Sequence, residues 1–188
     1  MKSSRSAFTL IELLIVITII GILSAAIVLN FSGVRERQQL ALLADKSAAM
    51  LQVAQSEVRS GKFDHAVGTY LCEGARFEEG EEPYWVVLPY DSASGSCDFT
   101  QKTEEVYGLN TSPAVLGSMT VGDTSIAEFY AMYLPPDATL GFYDALGAAY
   151  SGAEAQVFFA GASAENYTVS LELSSLTGRS ALSAQTNE

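Results

Sequence analysis

The chain has 188 residues, 48% hydrophobic and 17% charged, which suits one folded unit with an anchor and excludes a disordered or collagen-like chain. Its charge is divided unevenly: residues 1–63 hold 7 Lys and Arg against 4 Asp and Glu, and residues 64–188 hold 3 against 18, so +3 and −15 make up the net −12. The acidic distal part repels phosphate backbones and shows no basic patch, which excludes it as a nucleic-acid-binding surface.

In chain order, Met1–Ala7 carries Lys2 and Arg5, and Glu12 is the only ionisable side chain between Phe8 and Val34. From Leu13 to Val34 there are 22 residues without a charge, about 33 Å as a helix at ~1.5 Å per residue, which matches a bilayer core of ~30 Å. The run exceeds the ~7–15 apolar residues of a signal peptide, so a retained transmembrane helix is predicted. Lys2 and Arg5 ahead of it set the N-terminus in the cytoplasm and the head outside. An ionised carboxylate in hydrocarbon costs about 2.5–3.5 kcal/mol, so Glu12 either finds a partner or snorkels to the headgroups.

Beyond the apolar run, Leu40, Leu43, Ser47, Met50, Leu51, Ala54 and Val58 recur at steps of three and four, with Arg37, Asp45, Lys46, Gln52 and Glu57 on other faces. The spacing predicts an amphipathic continuation of the helix to Arg59, with Gly61 as its stop. Unbroken from Phe8, it would reach roughly 78 Å, with a hinge at the poor helix formers Asn30, Ser32 and Gly33. After Gly61, short apolar runs between turn residues predict antiparallel strands at 84–88, 126–134, 139–143, 156–159 and 167–173. Pro135-Pro136-Asp137 predicts a turn, residues 147–153 a loop and 180–188 a flexible tail. The fold class is α+β: a long N-terminal helix, transmembrane in its first half and amphipathic in its second, packed against one antiparallel sheet. The expected divisions are a leader at 1–7, a membrane helix at 8–33, its amphipathic continuation at 34–62, a β-rich head at 63–179 and the tail.

The sequence carries no zinc-ligand spacing, Gly-rich phosphate loop or nucleophile elbow. No enzymatic activity, cofactor or metal is expected, and His65 reads as a surface residue. Glu78-Glu79-Gly80-Glu81-Glu82 lacks the spaced Asp/Asn/Gly pattern of a calcium loop and reads as a solvated loop. Cys72 and Cys97, both on the exported side, form either one disulfide or two buried thiols. The sequons at Asn110 and Asn166 are read as chance matches.

The octad Ala7-Phe8-Thr9-Leu10-Ile11-Glu12-Leu13-Leu14 resembles the processing site of type IV prepilins and type II secretion pseudopilins. In that family a membrane peptidase cuts between a small residue, usually Gly, and Phe, and then methylates the new amino group. The resemblance implies cleavage between Ala7 and Phe8, N-methylation of Phe8, and filament assembly through Glu12. It departs from the family in Ala7, which replaces the usual Gly, and in Leu29, where many pilins carry a helix-kinking Pro. The implied partners are prepilin peptidase, other pilin or pseudopilin subunits, the inner-membrane assembly platform and membrane lipid. The positive amino group of a neighbour's Phe8 would then offset the desolvation of Glu12.

A second run, "YTVSLELSSLTGRS" at 167–180, resembles the final strand and "TGR" ending of minor pseudopilins of the GspH/FimT type. A head of net −15 suits a minor subunit better than a major one, whose like-charged surfaces would meet at every step of a fibre. Two function classes follow: a structural subunit of a type IV pilus or type II secretion-like filament, held in the cytoplasmic membrane before assembly, or a signal-anchored surface protein that binds a ligand and never polymerises.

Overall fold

The computed structural model describes residues 10–66, 68–101, 103–106, 115–152, 154–160 and 167–186, with the backbone alone described at 25–34, 104–106, 160, 167 and 185–186. Ala7, Phe8, Asn110 and Asn166 lie outside the described residues. The chain divides into two units, one up to Arg35 and one from Glu36 onwards. An α-helix, α1, runs Leu10–Arg59 over 50 residues. Its backbone is unbroken through the expected hinge at Asn30, Ser32 and Gly33, and the division between units falls just beyond it.

In the second unit α1 buries the face its spacing predicts: Leu40, Leu43, Ser47, Met50, Leu51, Ala54 and Val58 all lie in the core. Full burial of a Leu, Met or Val side chain contributes about 1.5–3 kcal/mol, so packing rather than intrinsic propensity holds this stretch helical. Ser47 is tolerated there because its hydroxyl donates to the Leu43 carbonyl at 2.8 Å. At the C-terminus Gly61 takes φ +76°. Its N–H donates to Val58 O at 3.0 Å while the Lys62 N–H reaches back to Glu57 O at 3.3 Å, the paired bonds of a Schellman ending that favours glycine at this position.

Among the described residues twelve strands follow: β1 Phe63–Asp64, β2 Thr69–Glu78, β3 Tyr84–Asp91, β4 Ser96–Cys97, β5 Thr103–Val106, β6 Val115–Val121, β7 Thr124–Ile126, β8 Glu128–Leu134, β9 Thr139–Tyr143, β10 Glu154–Ala160, β11 Tyr167–Ser174 and β12 Arg179–Thr186. They form two antiparallel sheets rather than the one expected. The first has the order β4-β3-β2-β8-β9, with β1 added to β2 and β5 to β3, and the second is β12-β11-β10-β6-β7. The helix face and both sheets share one core, in which Phe77 and Phe129 of the first sheet and Leu116, Val157 and Leu171 of the second are buried. A smaller core of Cys72, Val86, Leu88, Cys97, Tyr130 and Met132 lies separately.

All five predicted strand regions are strands, the second of them divided into β7 and β8, and Pro135-Pro136-Asp137 forms the β8–β9 turn. The expected tail at 180–188 is corrected: Arg179–Thr186 is β12, paired with β11 at every position from Tyr167↔Thr186 to Ser174↔Arg179, so the head extends past 179. The "TGR" run is likewise not a chain ending, since Thr177 and Gly178 lie in the β11–β12 turn and Arg179 opens β12. That turn is tied down by the Gly178 carbonyl, which accepts from Gln55 Nε2 at 2.9 Å and from the Tyr133 hydroxyl at 3.2 Å.

Cys72 and Cys97 are bridged, linking β2 to β4 across 25 residues with a Cα–Cα distance of 6.1 Å. Closing such a loop removes chain entropy from the unfolded state worth about 3.5 kcal/mol. Reduction, or the double change Cys72→Ser and Cys97→Ser, is expected to lower unfolding free energy by about 2–4 kcal/mol in denaturant titrations. Full thiol labelling of native unreduced protein would contradict the bridge.

Candidate assembly site

The first unit consists of an apolar helix whose described side chains are uncovered within the chain. Exposure at the apolar residues between Leu10 and Leu23 runs from 46% at Val16 to 83% at Leu10. At 3.6 residues per turn, Leu10, Ile11, Leu13, Leu14, Ile15, Val16, Ile17, Ile19, Ile20, Ile22 and Leu23 point in every direction around the axis. A helix that is hydrophobic all round belongs in a hydrocarbon layer or among other helices. Thr18 suits the same surroundings, because its hydroxyl donates to the Leu14 carbonyl at 2.7 Å and so needs no water. Among the described residues no helix is long and apolar enough to cross a membrane. The continuous described side chains cover Leu10–Ser24, about 22 Å at ~1.5 Å per residue, and those of 25–34 lie outside the description.

Glu12 stands in the first turn of α1, where the unpaired N–H groups and the positive end of the helix dipole favour a carboxylate. It is exposed, between the exposed Ile11 and Leu13. Any helix or lipid that covers the apolar residues must therefore also accommodate this carboxylate.

The remaining residues singled out in the sequence lie in the head. His65 is exposed and meets Phe63 edge-on. The acidic segment after β2 serves as a junction: Glu79 N–H donates to Ala127 O and Gly80 N–H to Leu116 O, both at 2.9 Å, and Leu116 N–H returns to Glu81 O at 3.2 Å. Glu78 pairs with Arg76, which also meets Glu128 at 2.7 Å and lies over the Tyr84 ring. Among the described residues no three His, Cys, Asp or Glu side chains gather as a metal site.

Sequence reasoning missed a charged cluster at the end of α1. The Glu73 side chain on β2 is fully buried, Lys62 Nζ lies 2.7 Å from Glu73 Oε1, and Lys62 also pairs with Glu57 of the helix. Glu73 stands between Cys72 and Gly74, two residues from Leu71 and Ala75, and nothing local to it signals burial.

A long helix followed by antiparallel sheets defines an α+β protein compatible with a pilin-like head, led by an apolar segment that requires cover. Residues 2–28 match the prokaryotic N-terminal methylation motif, and the chain thus carries the N-terminal signature of the type IV prepilin and pseudopilin family. This supports a pilin- or pseudopilin-type precursor that prepilin peptidase processes. No curated protein and no solved structure matches the chain.

Proposed function

We propose that the chain is a minor structural subunit of a type IV pilus or type II secretion-like filament, cut between Ala7 and Phe8, N-methylated at Phe8 and assembled through α1. The observation that carries this reading is the coincidence of the methylation motif at 2–28 with a helix whose described apolar side chains are exposed on every side. Before assembly the uncharged run 13–34 spans the cytoplasmic membrane, with Lys2 and Arg5 inside and the head outside. In the filament the same residues pack against neighbouring helices, and Glu12 meets the amino group of a neighbour's Phe8. The platform and the other subunits are the partners in that exchange of lipid for protein.

The minor role rests on the acidic head, whose surface suits a site where it faces basic partners. N-terminal sequencing and intact mass of the mature protein, from cells with and without prepilin peptidase, test the processing step. The expected product begins at N-methylated Phe8 only when the peptidase is present. A mature chain that still begins at Met1 in its presence rejects the proposal in favour of a non-polymerising anchored surface protein. Recovery of this chain as the dominant species of sheared filaments would reject the minor role.

A further inference from the structure

The Glu57, Lys62 and Glu73 cluster lies where the last turn of α1 meets β2, and it has one carboxylate too many. With both acids ionised, two negative charges share one ammonium group, and one of them is on a side chain with no exposure to water. Among the described residues, neither Glu73 oxygen has a hydrogen-bond partner of good geometry; the Lys62 contact is an ion pair. An unsatisfied buried charge of this kind is expensive. One proton removes the excess: Glu57 stays negative, Lys62 stays positive, and a neutral Glu73 gains an O–H to offer the neighbouring Glu57 carboxylate. Among the described residues, the charges that act on Glu73 are those of Lys62 and Glu57. Opposite Glu73 stand Tyr133 on β8 and Val87 on β3, and Arg59 of α1 acts on Tyr133. The Tyr133 hydroxyl is committed to Gly178 O.

We propose that Glu57, Lys62 and Glu73 form a proton-binding site that fastens the end of α1 to the first sheet, occupied in mild acid and vacated above neutral pH. Burial, opposed by Lys62, pushes the Glu73 carboxyl up to about 7. Glu57 is held below its ordinary range, chiefly by the hydrogen bond from Lys62. Burial alone would lower Lys62, but both carboxylates outweigh it and raise its value, so it stays charged throughout. The folded site holds its Glu73 proton more tightly than the unfolded chain, where the ordinary value is 4.5. The Glu73 contribution is therefore full below about pH 4.5 and is lost as pH rises through about 7. Glu57 works in the opposite sense, its contribution being lost as pH falls below its ordinary value of 4.5, outside most of that window.

The backbone around the site shows what would loosen when it empties. Lys62 N–H donates to Glu57 O, and Lys62 O accepts from Leu71 N–H at 3.1 Å, so the helix ending and the start of β2 hang on the residue that carries the ammonium group. The test uses the full chain in detergent micelles. Carbon-13 NMR of the Glu73 carboxyl is expected to titrate near pH 7, and a midpoint between 4 and 5 overturns the proposal. Wild type and Glu73→Gln are then melted at pH 5 and pH 8. The wild type is expected to lose roughly 5 °C more than the variant between these pH values, because the amide is neutral at both. Equal pH dependence in the two proteins also overturns it. If Glu73→Gln does not fold, the NMR titration of the wild type decides alone.

Discussion

Glu12→Ala chains are expected to insert in the membrane and be cut after Ala7 at the wild-type level, yet to be absent from sheared filaments. Insertion depends on the summed hydrophobicity of the apolar run, which the change raises, and cleavage depends on the residues at the junction. Assembly as proposed differs because it would place the carboxylate among apolar helices. There an ionised acid costs about 2.5–3.5 kcal/mol unless it is paired, and the proposed cut after Ala7 would create a suitable partner in the Phe8 amino group. The ion pair would fix how far each helix slides along its neighbour, since any other register leaves one charge in hydrocarbon. Immunoblots of the membrane and sheared fractions measure the outcome. Wild-type incorporation of Glu12→Ala would show that the carboxylate merely snorkels to the headgroups.

Gly74→Ala is expected to be the most damaging small change in the head. Gly74 lies mid-strand in β2, opposite Val86 of β3 and Met132 of β8. A methyl group there would lie 2.0 Å from the Ala131 carbonyl oxygen and 2.9 Å from both the Ala131 carbonyl carbon and Met132 Cα. These are backbone atoms of a paired strand, and no rotamer can move them aside. Relief requires β2 and β8 to separate, and Phe77, Phe129 and Tyr133 of those strands are all in the main core. The expected cost is on the order of 4–5 kcal/mol, at the upper end for single substitutions and a large share of a total stability of about 5–15 kcal/mol. Denaturant titration measures it. Gly21→Ala is the control, because nothing lies within 4 Å of the added carbon and alanine is the better helix former. A Gly74→Ala chain as stable as the Gly21→Ala chain would refute the close approach.

What the sequence determined by itself is local. The N-terminal methylation motif matched at 2–28 covers the segment that holds Ala7, Phe8 and Glu12, and such a motif is legible because its residues are contiguous. The buried face of α1 was legible because helical periodicity depends on spacing alone. β11 was legible for the same reason, as Tyr167, Val169, Leu171 and Leu173 alternate with polar residues.

Tertiary structure decided the rest. β12 is rich in Ser and Ala and has little strand propensity of its own, so it is a strand because β11 offers it a hydrogen-bonding edge along eight paired positions. β2 carries Glu73, Gly74 and Arg76, which break the alternation a strand prediction relies on, and it is held extended between β3 and β8. The choice of one bridge over two thiols at Cys72 and Cys97 depended on folding that brings β4 back to β2. Glu73 shows the limit most plainly. Its chemistry follows from burial beneath Lys62, and burial depends on which strands and which helix end close over a residue, a long-range property that no spacing in the chain encodes.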